Sequence, residues 1–330
     1  MITPAFGLTA TERVLPRLAL DFTTASLDPR ITFTRTTGAS NPATYINSSG
    51  VITAATNNQP RFDYDPITLV CKGLLIEESR TNSLLNTDLL STQIVTVTAA
   101  VRTLSFYGTG SVTLSGAHTA VVSGTGAYPT RTTYSFTPTA GALTLTVTGT
   151  VQYAQLEAGA FATSYIPTTT TALTRNADVA TMTGTNFSSW YNATEGTIQA
   201  EVINKVGTGG NYYYYISDGT TSNAMYGFAA FNNGSVRPLY VYTLGVAQAT
   251  LVSSVNCIGT YKLAASYKAN SFAESVKKTT PTTDLAGTVP TVTQLNIGCA
   301  PTAGQLNGHV AKLNYYSTQL TLAQLQAITA

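Results

Sequence analysis

Apolar and polar side chains alternate along most of this chain with a period of two, which sets one face of a β-strand against the other. LALDF places Leu18, Leu20 and Phe22 on one face, and ITFTR does the same with Ile31 and Phe33. NSSG and NNQP punctuate as turns. RFDYDP and GLLIEESRTNSLLN follow, and their alternation is imperfect. A block of this kind leans on a partner for part of its core. The next stretch is cleaner. SVTLS turns Val112 and Leu114 inward, and TTYSF does so with Tyr134 and Phe136. ALTLTVTG sets Leu143, Leu145 and Val147 against Thr144, Thr146 and Thr148. Gly-bearing breaks (GTG, SGTGAYP, TPTAG) recur at intervals on the order of 8–12 residues, the spacing of a sandwich. The block's last strand is VQYAQLE.

A third block opens near Asn176. EGTIQAEVI presents Ile198, Ala200 and Val202 on one face; NYYYYIS, LYVYTLG, TYKLAASY and QLNIGC are further strands. The ending HVAKLNYYSTQLTLAQLQAITA predicts a strand and then a short helix capped by Thr321, with Leu322, Leu325 and Ile328 as its apolar stripe. Between the second and third blocks lies IPTTTTALT. Pro167 cannot donate a ladder hydrogen bond, and the residue before a proline is pushed into extended geometry. A short β-branched tract of this kind is a stiff connector, unlike a Gly/Ser linker.

The pattern therefore predicts an all-β chain of tandem antiparallel β-sandwiches. Its parts are an N-terminal β-rich region over 1–90, a sandwich over 91–166, an extended connector over 167–175 and a larger sandwich over 176–330. Composition agrees: Thr, Ser, Gly, Val and Tyr are plentiful while Lys, Glu and Met are scarce, which favours pleated surfaces over helices. Charged residues make up 10% of the 330 and the net charge is +2, so nothing favours nucleic acid or an anionic membrane as partner. With 43% apolar residues the chain can build real cores. The first residues lack a basic segment followed by an apolar one, and no stretch approaches the ~20 apolar residues of a membrane helix. Cys71, Cys257 and Cys299 are odd in number and far apart, and read as small buried hydrophobes.

RFDYDP with GLLIEESRTN, then AQLEAGAFATSYIPTTTTALTRNAD, then SSWYNATEGTIQAEV, together resemble a recurrent group of bacteriophage virion proteins of the tail-fibre or surface-decoration type. The ending GHVAKLNYYSTQLTLAQLQAITA is similar to the closing strand and helix of lectin-like domains in that group. The resemblance spans nearly the whole chain. It implies a carbohydrate-binding-like jelly roll followed by a concanavalin A-like (laminin G-like) domain, with residues 1–90 as a virion-attachment region. It also implies other virion proteins as partners, a homo-oligomer (a trimer favoured), and a virion location after synthesis in the host cytoplasm and release by lysis. Tail fibre, spike or baseplate-associated protein is the first expectation, with host-surface polysaccharide as ligand. A capsid-surface decoration or head fibre without glycan binding is an alternative, and a polysaccharide-degrading tailspike a remoter one.

Candidate chemistry is sparse. His118 and His309 are the two histidines, and neither has a second ligand at metal-binding spacing. No GxSxG is present, and the glycine pairs of GTGSVT and GTGAYP are sandwich turns. Paired carboxylates matter because lectin-like folds also carry glycosidases, which hold two acids about 5–9.5 Å apart. Asp63 and Asp65 would share a strand face at about 6.5–7 Å. With Arg61 on that face and Arg80 nearby, they read as an ion-paired structural cluster. Glu77 and Glu78 point to opposite faces, and Glu195 and Glu201 have no acid between them. Asp218 with Asn223, and Asn176 with Asp178, are too thin for a calcium that wants 6–8 oxygens. Asp218-Gly219 reads as a hairpin turn, and Lys277-Lys278 as a solvated loop. No catalytic residue, metal ligand or cofactor site is expected, and the chain is read as a non-enzyme.

Aromatics carry the one suggestive signal. In NYYYYIS, Tyr212 and Tyr214 go inward with Ile216, leaving Tyr213 and Tyr215 outward; LYVYTL adds Tyr240 and Tyr242, and Trp190 opens the block. Exposed rings on a sheet suit sugar rings or a protein interface, and cross-strand aromatic pairs also stabilise a sheet by themselves. If Tyr213 and Tyr215 are a glycan surface, changing both to Ala leaves the domain folded. If they are structural, the protein melts.

Overall fold

The computed structural model of the chain describes residues 14–35, 43–204, 210–229, 235–256 and 258–330. Two large sheets hold the biggest core. One has eight strands, in the order Thr282–Asp284, Ser271–Val276, Gly259–Lys268, Glu195–Asn204, Gly308–Tyr316, Cys71–Ile76, Phe62–Tyr64, with Leu18–Asp21 sharing the free edge of Gly308–Tyr316. The other has seven, in the order Thr32–Thr34, Val179–Thr183, Gln294–Ile297, Asn211–Ser217, Ala224–Ala229, Ser235–Thr243, Val246–Asn256. Leu20, Phe22, Phe33, Ile198, Val202, Trp190 and Leu313 pack in one cluster between them. The period-two faces read from LALDF, ITFTR and EGTIQAEVI all lie in that core.

The N-terminal residues are therefore not a region of their own. Leu18–Asp21, Thr32–Thr34, Phe62–Tyr64 and Cys71–Ile76 complete sheets whose other strands come from 176–330. The cause is visible in the uneven alternation of GLLIEE: Leu74, Leu75 and Ile76 are all buried because this strand is covered on both faces.

The middle of the chain folds as a separate sandwich. Sheets of four strands (Gln93–Val97, Ser111–Gly116, Ala120–Ser123, Gly141–Thr148) and three (Arg102–Tyr107, Thr132–Phe136, Gln152–Ala158) enclose Leu104, Phe106, Val112, Leu114, Leu143, Leu145 and Leu156. The terminal helix Leu322–Ile328 closes with the expected Thr321 cap, reciprocated by Gln324 in a capping box. Leu325 is buried against Ala264, Ala273 and Leu320, whereas Leu322 is exposed and leaves the expected apolar stripe.

The stretch expected to be a connector is stitched down along its length. Leu173–Arg175 pairs with Arg80–Asn82, the Thr168 hydroxyl donates to Leu84 O, and Asn86 N–H donates to Thr169 O. Beside it lies a buried ionic cluster that joins all three blocks. Arg61 donates to Glu77 at 2.9 Å and also pairs with Asp178; Arg35 reaches Asp178 at 2.9 Å, and Arg175 reaches Glu77 at 3.1 Å. Ser164 donates from both N–H and Oγ to Glu77, and the Glu77 N–H donates to Asp178. Arg35, Arg61, Arg175 and Asp178 have side chains wholly out of solvent. Burial of such charge is costly unless each group is paired and hydrogen-bonded, and here burial pulls the Arg35 and Arg175 pKa values down. For Arg61 the same pull is outweighed by Asp178 and Glu77, so its pKa goes up.

Candidate functional site

The outer face of the seven-stranded sheet carries the most unusual surface among the described residues. Its register aligns Thr32, Thr181, Asn296, Tyr215, Tyr226, Tyr240 and Thr250 across all seven strands. Directly opposed residues share a face and touch. Hydroxyl and amide groups therefore flank a central run of three aromatic rings. Tyr242 and Ala224 stand in the next row, and Phe228 faces Arg237 on the other side. Arg237 has no ion-pair partner among the described residues.

The rings are packed on one another. Tyr215 and Tyr226 are parallel within 3° at 4.7 Å between centroids, Tyr226 and Tyr242 within 6° at 6.1 Å, and Tyr226 and Tyr240 within 22° at 5.7 Å. Tyr212 meets Tyr215 and Tyr226 edge-on at 5.2 and 5.3 Å. Each such pair is worth about 0.5–1.5 kcal/mol beyond the area it buries. Ring faces are thus largely spent on each other. What remains for a ligand is the outer faces of Tyr240 and Tyr242 and the hydroxyls of Tyr212, Tyr226, Tyr240 and Tyr242. None of these hydroxyls has a hydrogen-bond partner among the described residues. Burial first, and neighbouring tyrosines second, raise the pKa of Tyr212, Tyr215 and Tyr226, so these hydroxyls stay protonated near neutral pH and can donate.

Of the five aromatic residues singled out in the sequence, the structure brings Tyr215, Tyr240 and Tyr242 to this face and takes Tyr213 and Trp190 away. A β-bulge between Tyr212 and Tyr214 is the reason for the first loss. The extra residue, Tyr213, enters the core with Tyr214 and Ile216, and its ring meets Tyr261 of the opposite sheet edge-on at 5.8 Å. Tyr212 is moved outward, so the strict alternation read from NYYYYIS fails at its first half. Tyr215 does lie on the outer face, yet its neighbours leave it only 1% exposed. Trp190 donates to Asn186 O at 2.7 Å and packs against Phe187 and Tyr315, 2% exposed. The double Tyr213/Tyr215 alanine change is therefore expected to unfold the protein. Sequence reasoning missed Tyr226 and Phe228. Their signal was the Y-x-F of AMYGFA, with Gly227 between them. A Cβ there would sit 2.7 Å from Pro238 O and 2.9 Å from the Tyr214 ring, so the close approach of the strands requires glycine.

The acids considered for catalysis have other work. Asp63 accepts from Ile46 N–H and holds Lys72 and His309 at 2.8 Å each, while Asp65 accepts from Ile67 and Thr68 N–H in an exposed turn. Arg61, expected beside these two aspartates, pairs with Glu77 and Asp178, and Arg80 pairs with Glu78. Asp218 closes its turn by accepting from Thr220 and Asn223. His118 bonds Tyr134 at 3.1 Å and stacks on Phe136. Cys299 is buried and its thiol is pushed up to about 11 by that burial, whereas Cys71 is half-buried; Cys257 lies outside the described residues. No metal-binding cluster of His, Cys, Asp and Glu occurs among the described residues, and no helix among them is long and apolar enough to cross a membrane.

No protein-family model matches the chain, and no curated protein matches it. Partial likeness to solved structures exists. A carbohydrate-binding module, CBM40, of an IT-sialidase from Ruminococcus gnavus, bound to α2,3-sialyllactose, matches with 15% identity over 44% of this chain and 88% of that one, TM-score 0.38. A SAP-like pentraxin from Limulus polyphemus matches with 11% identity over 42% and 70%, TM-score 0.32. The receptor-binding domain of a botulinum neurotoxin mosaic serotype C/D matches with 9% identity over 46% and 39%, TM-score 0.36. Likeness at this level speaks to neither ligand nor activity.

Proposed function

We propose that this chain is a non-catalytic structural protein of a bacteriophage particle that meets host-surface polysaccharide through the outer face of its seven-stranded sheet. The particle assignment rests on the resemblance of RFDYDP, GLLIEESRTN and TALTRNAD to virion proteins. The residues of those motifs form the buried ionic cluster, so the motifs are the joint of the scaffold and carry no reaction. The binding assignment rests on one observation: a packed, half-buried aromatic platform with unpartnered hydroxyls, beside Arg237. A polyhydroxylated chain offers such a surface C–H faces for Tyr240 and Tyr242 and oxygens for the hydroxyls. Affinity per site is weak, and many copies on a particle raise it through effective concentration. A closed trimer would cover sheet edges as well.

The test is adsorption of the purified chain to polysaccharide extracted from host cells, with mass determined by light scattering. The expected result is saturable binding that Tyr240→Ala with Tyr242→Ala weakens about tenfold or more, with a cooperative melt lowered by only a few degrees and oligomeric state unchanged. Binding untouched by that pair, or no binding in any oligomeric state, overturns the glycan reading. A double variant that falls apart to monomers assigns the platform to the subunit contact instead.

A further inference from the structure

A second site lies away from the aromatic platform, where the N-terminal strands meet the middle sandwich. A cavity of about 170 Å³ is lined there by Thr44, Tyr45, Asp63, Lys72, Tyr107 and Arg131, among others. Its walls are the hairpin Thr44–Ile46 with Ile52–Ala54, the pair Phe62–Tyr64 with Cys71–Ile76, and the sandwich strand Arg102–Tyr107, with Arg131 and Ser164–Tyr165 added from chain outside those strands.

The hydrogen-bonding capacity of the cavity is one-sided. Its carboxylate is fully committed: Asp63 Oδ1 accepts from Ile46 N–H, and Oδ2 takes both Lys72 and His309. The Thr44 hydroxyl donates to Tyr165 O, and the Tyr165 hydroxyl is held by Asp88 and Thr87. Donors, by contrast, are left over. Arg131 uses its terminal nitrogens on Thr163 O and Ser105 Oγ, and its buried Nε–H has no partner. The Tyr107 hydroxyl makes no hydrogen bond among the described residues. The Lys72 ammonium spends one of its three donors on Asp63. Charge points the same way. Lys72 is balanced by Asp63, whereas the Arg131 guanidinium has only neutral partners and the Tyr107 ring at 5.9 Å.

We infer that this cavity binds a small polyhydroxylated carboxylate, the chemistry of a uronic-acid sugar unit. The carboxylate would take charge-assisted bonds from Arg131 and Lys72, which are stronger than neutral ones. The hydroxyls would be met by Tyr107 and Tyr45. A neutral sugar of the same size leaves the guanidinium uncompensated, so the site discriminates by charge.

The experiment is calorimetric titration of the full chain with D-glucuronate, D-glucose and a galacturonate oligomer, at low and moderate salt. Expected is saturable binding of glucuronate or of the oligomer, none of glucose, weakening with salt. Preference for the oligomer identifies a polymer-borne source and preference for the monomer a free one. Tyr107→Phe and Lys72→Met should each cost about tenfold or more in affinity. Tyr107→Phe removes one oxygen and keeps the ring contacts, so it tests the site without unfolding it. Tyr240→Ala with Tyr242→Ala should leave this binding unchanged, which separates the site from the platform. No carboxylate binding, equal binding of glucose, or indifference to Tyr107→Phe and Lys72→Met overturns the proposal.

Discussion

Replacing Arg61 by Met tests whether the ionic cluster is what joins the blocks of this chain. Arg61 donates to Thr44 O at 3.0 Å, Glu77 at 2.9 Å and Ser164 Oγ at 2.7 Å, and it pairs with Asp178. Removing one member of a buried charged pair typically costs about 3–5 kcal/mol, because the other charge is left behind. Here the orphans are partly held. Asp178 keeps Arg35 and the Glu77 N–H, and Glu77 keeps Arg175 and both donors of Ser164. The buried Thr44 carbonyl loses a donor outright. The expected loss is therefore at the lower end, about 3 kcal/mol, or a fall in Tm of roughly 6–12 °C at ~2–4 °C per kcal/mol. Urea unfolding of Arg61→Met, Asp178→Asn and the double variant measures it. Lys268→Ala serves as the exposed control, its pair with Glu195 being 3.6 Å long and its side chain 55% exposed; it should cost under about 1 kcal/mol. The joining role of Arg61 is refuted if Arg61→Met costs no more than that control. It is refuted equally if the Arg61 and Asp178 changes add to within about 0.5 kcal/mol, since groups in one network do not add.

Tyr213→Ala should cost about 3–5 kcal/mol through loss of a core ring, while Tyr242→Ala on the half-exposed platform should cost about 1 kcal/mol or less; parallel thermal melts separate the two. Glu274 is buried between the sheets with Oε1 held by Thr282 and Oε2 without a partner, and burial raises its pKa. A carboxyl with a raised folded-state pKa favours the fold below its unfolded pKa and loses that contribution as pH climbs through the folded value. Glu274→Gln should therefore match the parent near pH 4 and melt higher near pH 8, and equal melting at both would refute the linkage. A fragment of residues 176–330 lacks the strands Leu18–Asp21, Thr32–Thr34, Phe62–Tyr64 and Cys71–Ile76. It should aggregate through its open edges; a soluble, cooperatively melting fragment would show that the strands are dispensable.

What could be read in the sequence followed from local periodicity, and what could not depended on partners far along the chain. Leu143 and Leu145 fell on the faces that alternation assigns because their strand has one wet side, and Ile198 and Val202 did so although Thr197 and Gln199 on the opposite face are buried too. Leu74, Leu75 and Ile76 broke the rule because both faces of their strand are covered: Leu74 and Ile76 lie in the main core, and Leu75 is buried on the other face beside Thr44, Ile46 and Tyr107. The imperfect alternation of GLLIEE pointed to a partner for part of the core, and that partner is the strands of 176–330 in the same sheets. NYYYYIS shows the opposite failure. Its pattern was regular, and one inserted residue exchanged the faces of Tyr212 and Tyr213 while leaving Tyr214 and Tyr215 where they were expected. A bulge is fixed by the neighbouring strands, here by Tyr214 lying over Gly227, so a single strand cannot announce it. The charged motifs carry the same lesson at longer range. Arg61, Glu77, Arg175 and Asp178 stand up to 117 residues apart and meet at hydrogen-bonding distance. Their spacing along the chain says nothing of this. Their sparseness does, because a chain with 10% charged residues that concentrates arginine and acid in three short motifs has few other places to pair them.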